Sequence, residues 1–180
     1  DGNGLSVSFI QSIYHEFGSG IVLPASGVNW QNRGCSFSLN PQALNTLEPH
    51  RKPFHTLNPA LAVFNSGRTM AYGTMGGDGQ PQTQAAIFSR VAHFGLDPQD
   101  AIARPRWLLG RTWGQNSDTL KLESRFPDHV TDELRRRGHD VEIIGAMDET
   151  VGHAGCIVRE KSGILCGGFD PRSYGAVAAF

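Results

Sequence analysis

Residues 73–79 read Gly-Thr-Met-Gly-Gly-Asp-Gly and join a strand pattern to a helical pattern. Consecutive glycines at such a junction can present bare backbone N–H groups to a ligand. The stretch is not a P-loop, because no Gly-Lys-Ser/Thr follows, and it lacks the glycine spacing of dinucleotide-binding loops. N–H groups without a lysine suit a small developing negative charge, as in an oxyanion hole. The alternative is a tight strand-to-helix turn packed against a neighbouring segment.

The flanking patterns predict an α+β fold that forms one domain or half of one. Apolar runs at residues 60–64 and 69–72 flank an Asn-Ser-Gly-Arg turn and predict a hairpin. Strands and helices grouped in this order fit α+β better than alternating βαβ units. Further strands are predicted at residues 5–10, 21–23, 28–30, 120–122, 141–144, 155–159 and 163–168, helices at 80–94, from 97–98 to before Pro105, and at 127–137, and a loop at 39–52.

The chain carries few charges for its length of 180 residues. Lys and Arg number 16 and Asp and Glu 17, a net charge of −1, so nothing favours a nucleic acid or an anionic membrane as a partner. Charged residues make up 18% and glycines number 22, against about 25% charged residues and about 7% glycine in typical soluble proteins. This composition predicts that part of the surface is covered by something other than water.

Neither the cysteines nor the nucleophile motifs point to a site within the chain. Cys35, Cys156 and Cys166 are odd in number and lack paired spacing, so we expect buried, reduced thiols and a cytoplasmic protein, with the periplasm as the alternative. There is no Gly-x-Ser-x-Gly motif, and His153 to Cys156 do not have zinc-ligand spacing. The opening Asp1-Gly2-Asn3-Gly4 is typical of a hairpin turn, so we expect a preceding strand and a chain released by cleavage of a precursor.

Several short motifs occur in the order of a known family. They are Asp1-Gly2-Asn3, Ser-Phe-Ile-Gln-Ser at 8–12, Phe-Gly-Ser-Gly at 17–20, the stretch 52–59, the loop 72–77, Ala-Arg-Pro-Arg at 103–106, Gly138-His139 and Asp170-Pro171-Arg172. Together they cover essentially the whole chain, which resembles the small subunit of gamma-glutamyltranspeptidases.

The resemblance implies an N-terminal nucleophile hydrolase with a four-layer αββα sandwich, completed by a large subunit from the same precursor. In that family the precursor cleaves itself before a threonine, whose hydroxyl attacks an amide while its own α-amino group acts as base. By the resemblance this threonine lies upstream of Asp1, outside this sequence, and residues 1–180 are the rest of the small subunit. Gly76 and Gly77 would supply the oxyanion-hole N–H groups. No cofactor or metal is implied, and a dimer of heterodimers is possible within the family.

Departures from the family pattern indicate a different substrate. An aspartate that binds the α-ammonium of a γ-glutamyl group is replaced by Ser36, and a glutamine is replaced by Arg33. A neutral serine binds an ammonium weakly, whereas a guanidinium suits a carboxylate. We therefore expect a small amide with a carboxylate beside the scissile carbonyl, such as oxamate. The alternative for Arg33 is a solvated residue or one that forms a salt bridge at the subunit interface.

The remaining predicted substrate-binding residues are Ser12, Tyr14, His55 and Thr56. Tyr14 and His55 could donate hydrogen bonds, although a packing aromatic and a satisfied buried histidine are the alternatives. Other enzymatic readings are a γ-glutamyltransferase or glutathione hydrolase and an amidase like the cephalosporin acylases. An inactive homologue is the non-enzymatic reading. Arg106 is expected to pack or to anchor a subunit interface, and residues 170–172 to form a turn with a local ion pair.

Overall fold

A computed structural model describes residues 1–112 and 117–178 of the chain. They form two compact units: the loop unit, Ile10–Leu57, and the sheet unit, which comprises Asp1–Phe9 and the chain from Asn58 onward. No Pro/Gly-rich linker marks either boundary, so the division was not predicted from the sequence. The α+β class is confirmed.

A four-stranded antiparallel sheet forms the centre of the sheet unit. Its strands are β1 (Ala60–Val63), β2 (Thr69–Met75), β6 (His153–Arg159) and β7 (Leu165–Phe169), in the order β1-β2-β6-β7. The predicted hairpin is confirmed, because β1 pairs with β2, and the strands predicted at 155–159 and 163–168 pair with each other as β6 and β7. The two hairpins join through β2 and β6.

Two helices cover one face of this sheet and bury its core. Helix α1 (Gln80–Ala92) is the helix predicted at 80–94, and α2 (Pro98–Ala103) starts at a proline and is capped by Asp97, whose side chain accepts from the N–H of Gln99. Each fully buried Ile, Val or Met side chain stabilises the fold by about 1.5–3 kcal/mol. The core includes Met70, Ile87, Val91, Ala101, Ile102, Ala154, Cys156 and Val158.

A smaller mixed sheet contains β3 (Trp107–Leu109), β4 (Leu120–Glu123) and β5 (Val141–Ile144). Strand β4 pairs antiparallel with β3 and parallel with β5. The parallel pair is joined by α3 (Asp128–Arg136), which is the helix predicted at 127–137. This helix ends before Gly138, whose φ is 93°. Strand β3 was not predicted from the sequence.

The predicted strand at residues 5–10 is wrong. The segment pairs with no described strand, although the Ser8 hydroxyl donates a hydrogen bond to the Tyr72 carbonyl at 3.2 Å. Its apolar and polar residues do lie on opposite sides, but the apolar side is the exposed one. Ser6 and Ser8 are half-buried while Leu5, Val7 and Phe9 are exposed by 64, 69 and 77%. A period of two therefore separates the faces without telling which one is covered.

The loop unit contains little regular structure. The strands predicted at 21–23 and 28–30 meet only in a single bridge between Val22 and Asn29. The loop predicted at 39–52 is confirmed as irregular chain. The one helical turn among residues 10–57 is a 3-10 helix, Arg33–Ser36, and it carries two of the predicted binding residues.

Within the described ranges, no helix is both long and apolar enough to cross a lipid bilayer.

Candidate active site

The glycine loop lies where β2 ends and α1 begins, as the sequence predicts. Strand β2 ends at Met75, Gly76 forms the bend, and a 3-10 helix, Gly77–Gly79, leads directly into α1. Gly76 has a φ of 146° and Gly77 a φ of 47°. Both values lie in the region that favours glycine, because a Cβ would clash with the backbone there.

The N–H groups of Gly76 and Gly77 donate no hydrogen bond to any other group among the described residues. They also lie at the amino end of a helical segment, where the backbone carries a partial positive charge. Two unused donors on such a bend can stabilise a small negative charge, as an oxyanion hole does.

The same loop is tightly packed, which confirms the reading of a strand-to-helix turn packed against a neighbouring segment. A Cβ on Gly76 would lie 3.4 Å from the Cα of Gly152, and one on Gly77 would lie 2.5 Å from the Thr112 carbonyl oxygen. A side chain at Gly77 would therefore have to displace backbone, which is costly. The packing fixes the direction of the free donors.

Arg33 is buried in the loop unit, with only 2% of its surface exposed. Its Nη1 donates to the Thr56 hydroxyl at 3.3 Å, while Nη2 is buried and has no hydrogen-bond partner among the described residues. The structure shows no ion pair for it within those residues, and its burial makes the solvated reading wrong, while the interface salt bridge stays a prediction. A buried guanidinium with an unused donor is unfavourable unless an acceptor completes it.

Tyr14 covers the Arg33 guanidinium. The guanidinium carbon lies 5.3 Å from the centroid of the Tyr14 ring, in cation–π geometry. Tyr14 has a φ of 79°, rare for an aromatic residue, and its N–H donates to the Ser12 hydroxyl at 2.9 Å. The ring also stacks on His15, with centroids 4.9 Å apart. Tyr14 therefore packs as an aromatic, but onto the predicted ligand of the substrate carboxylate.

Ser36 follows Arg33 in the same 3-10 helix. Its hydroxyl oxygen is buried and has no hydrogen-bond partner among the described residues, while its carbonyl accepts from the Asn45 side chain at 2.7 Å. The helix thus carries two unused buried polar groups, the Nη2 of Arg33 and the hydroxyl of Ser36. A small polar ligand could satisfy both.

His55 and Thr56 are separated by burial. Thr56 is 6% exposed and holds Arg33, whereas His55 is exposed. The reading of His55 as a satisfied buried histidine is therefore wrong. Contacts within the loop unit join four of the predicted residues, Arg33, Tyr14, Thr56 and Ser12. Ser36 lies on the same 3-10 helix as Arg33.

Sequence reasoning missed a buried ionic network in the sheet unit. Arg106 pairs with Asp170 at 2.5 Å, and Arg172 pairs with Glu123 at 2.6 Å and with Asp170 at 3.0 Å. Arg106 is 0% exposed, which confirms for this residue the alternative that it packs. The turn with a local ion pair at residues 170–172 is confirmed. Arg-Pro-Arg and Asp-Pro-Arg were visible as motifs, but their pairing was not.

Burial shifts the pKa values of two groups in this unit. It lowers the pKa of the Arg106 guanidinium to about 10, against the attraction of Asp170, so the group stays charged at neutral pH. It raises the pKa of the Cys156 thiol to about 12, and the Asp97 carboxylate adds to the rise. Cys156 is therefore a packing thiol rather than a nucleophile. Cys35 is exposed, which corrects the expectation that it is buried.

Comparisons with known proteins agree with the family that the sequence motifs resemble. The family model described as Gamma-glutamyltranspeptidase matches residues 1–180. The chain belongs to the gamma-glutamyltranspeptidase family. An oxamate amidohydrolase proenzyme of Klebsiella pneumoniae is 62% identical over 180 residues, which are 100% of this chain and 34% of that protein.

Solved structures of other proteins share the fold of this chain. A cephalosporin acylase from Bacillus halodurans is 34% identical, with a TM-score of 0.76 over 95% of this chain and 31% of that one. A gamma-glutamyltranspeptidase chain from Pseudomonas nitroreducens, complexed with L-DON, is 23% identical, with a TM-score of 0.80 over 100% of this chain and 96% of that one. The chain spans 34%, 34% and 30% of the length of three curated relatives that it matches.

Proposed function

We propose that this chain is the small-subunit part of an amidohydrolase that acts on a small amide with an adjacent carboxylate, such as oxamate. The observation that carries the proposal is the buried Arg33, whose Nη2 has no partner among the described residues. A substrate carboxylate would accept from that donor, and the Ser36 hydroxyl could donate to the same group. The 62% identity to the Klebsiella oxamate amidohydrolase proenzyme supports the same substrate class.

The reaction is nucleophilic acyl transfer to water. In the proposed first step, the hydroxyl of a threonine upstream of Asp1 attacks the amide carbonyl carbon, and its proton passes to the threonine's α-amino group. The carbonyl oxygen becomes an oxyanion that accepts from the N–H groups of Gly76 and Gly77. The C–N bond then breaks, and the leaving nitrogen takes the proton and departs as ammonia. Water attacks the resulting ester, which releases oxalate and restores the threonine.

A large subunit from the same precursor completes the proposed enzyme. The chain spans 34% of the length of each of two relatives that are named proenzymes. The low charge of the chain fits a surface buried against another chain. We extend the proposal to autocatalytic cleavage of the precursor, to a dimer of heterodimers and to a cytoplasmic location.

A γ-glutamyl substrate is the second candidate, and the family membership favours it. Such a substrate carries an α-ammonium, which needs an anionic or strongly accepting partner. Ser36 offers only a neutral hydroxyl, and the buried cation of Arg33 in the same helix would repel an ammonium. The chemistry of this helix therefore favours the carboxylate-bearing amide.

Four amides of different charge test the proposal in the full-length protein. We expect ammonia release from oxamate and little ammonia release from the neutral analogue pyruvamide. We also expect little cleavage of a γ-glutamyl anilide or of the acyl amide of a cephalosporin. Arg33→Gln should raise KM for oxamate by about 100-fold, the equivalent of about 2.7 kcal/mol. Robust γ-glutamyl release, or equal rates with oxamate and pyruvamide, would contradict the proposed substrate class.

A further inference from the structure

Three consecutive peptide carbonyls, those of residues 150, 151 and 152, each accept a hydrogen bond from a different side chain. The donors are, in that order, the hydroxyl of Thr112 at 2.5 Å, the hydroxyl of Thr83 at 2.9 Å and the guanidinium of Arg106. We call residues 150–152 the platform. Side chains from three separate parts of the sheet unit therefore fix one short stretch of backbone.

The glycine loop, which carries the proposed oxyanion-hole donors, packs against this platform. Gly76 lies so close to Gly152 that a Cβ on it would be 3.4 Å from the Gly152 Cα. The residue before the loop, Met75, is paired with His153, which directly follows the platform in β6. The platform therefore contacts the loop at Gly76 and, through the neighbouring His153, at the end of β2.

The two threonines connect the platform to the other parts of the loop. Thr83 lies in the first turn of α1, just after the loop, and is 2% exposed. Thr112 approaches Gly77 with its backbone carbonyl while its hydroxyl holds the platform. Both sides of the loop are thus tied to residues 150–152 by a hydroxyl group.

We propose that Thr83 and Thr112 are positioning residues for the N–H groups of Gly76 and Gly77. This proposal rests on the oxyanion-hole role proposed above. The donors of an oxyanion hole lower the barrier only if they already point at the developing charge, so that they need not reorient during the reaction. A platform that shifts by a fraction of an ångström would carry the donors away from it, and substrate binding would be unaffected.

Paired substitutions in the full-length protein test the role of the hydroxyls. Thr83→Val and Thr112→Val keep the volume but remove the donor, while Thr83→Ser and Thr112→Ser keep it. With oxamate as substrate, we expect each valine variant to lower kcat about tenfold and to change KM less than twofold. Each serine variant should keep at least half of the kcat. Thr131→Val, a change at a buried threonine of α3, is the control and should keep the wild-type kcat.

The thermal midpoint is measured for each variant, so that kcat is compared well below unfolding. Gly77→Ala is included to separate the two proposals. If Gly77→Ala keeps the wild-type kcat, the oxyanion-hole role itself is wrong. If Gly77→Ala loses activity but both valine variants keep it, only the positioning role is wrong. A serine variant as slow as its valine counterpart, or a valine variant changed in KM alone, would also overturn the positioning role.

Discussion

Arg33 and Tyr14 are the two residues that define the proposed substrate-binding site. Arg33 is buried with a donor that no described residue uses, and Tyr14 lies against its guanidinium in a left-handed backbone conformation. Such a conformation costs on the order of 1–3 kcal/mol and persists only where the surroundings enforce it. The ring shields the guanidinium from water, which strengthens its attraction for an anion.

Substitutions at Tyr14 should separate the ring from the hydroxyl. We expect Tyr14→Leu to raise KM for oxamate about tenfold, because the guanidinium loses its aromatic cover, with kcat changed less than twofold. Tyr14→Phe keeps the ring and should keep both constants near the wild-type values. Steady-state kinetics with oxamate would check this, and a Phe variant as impaired as the Leu variant would show instead that the hydroxyl carries the effect.

The site residues were predictable only in part. The exchange of an aspartate for Ser36 and of a glutamine for Arg33 could be read from the resemblance to the family. The bond from Arg33 to Thr56 could not, because it joins residues 23 positions apart along the chain. The exposure of His55 could not be predicted either, since local sequence does not show which side of a loop faces its own unit.

Local patterns predicted most of the regular elements. Helix α1 shows helical spacing of its apolar residues, and the hairpin of β1 and β2 has a turn sequence between two apolar runs. Residues 5–10 show the limit of this reasoning, because their alternation is correct but their apolar side is the exposed one. A pattern fixes the period of a segment, whereas its covered face depends on the whole fold.

Core packing between α1, α2 and the four-stranded sheet should dominate the stability of the sheet unit. Met70 on β2 is 0% exposed, so Met70→Ala should lower the free energy of unfolding by about 2–5 kcal/mol. Phe94, just after α1, is 75% exposed, and Phe94→Ala should change it by less than about 0.5 kcal/mol. Urea unfolding of the full-length protein measures both. Equal losses in the two variants would contradict this assignment of the core.

The buried ionic network joins distant parts of the molecule. Glu123 on β4 binds Arg172 near the C-terminal end of the chain, and Asp170 binds Arg106, just before β3. These partners are 49 and 64 residues apart. Sequence alone could not pair them, because a charged motif shows neither its burial nor its partner.

Removing one charge from the network should destabilise the fold. Among the described residues, Arg106, Arg125 and Arg172 form their ion pairs with the carboxylates of Glu123 and Asp170. Glu123→Gln leaves three arginines with one carboxylate and should cost about 3–5 kcal/mol.

Thermal unfolding of the full-length protein measures this loss. Its control is Glu133→Gln, which removes an exposed carboxylate that pairs with arginines on α3 and should move the midpoint little. Equal midpoints for the two variants would contradict a stabilising role for the network.

The outward row of Leu5, Val7 and Phe9 has a consequence for handling the protein. These side chains lie on an extended segment whose backbone pairs with no described strand. An apolar, unpaired, extended segment is a template for intermolecular β-pairing. Produced by itself, the chain should therefore associate with other copies and precipitate, whereas co-production with the rest of its polypeptide should keep it in solution.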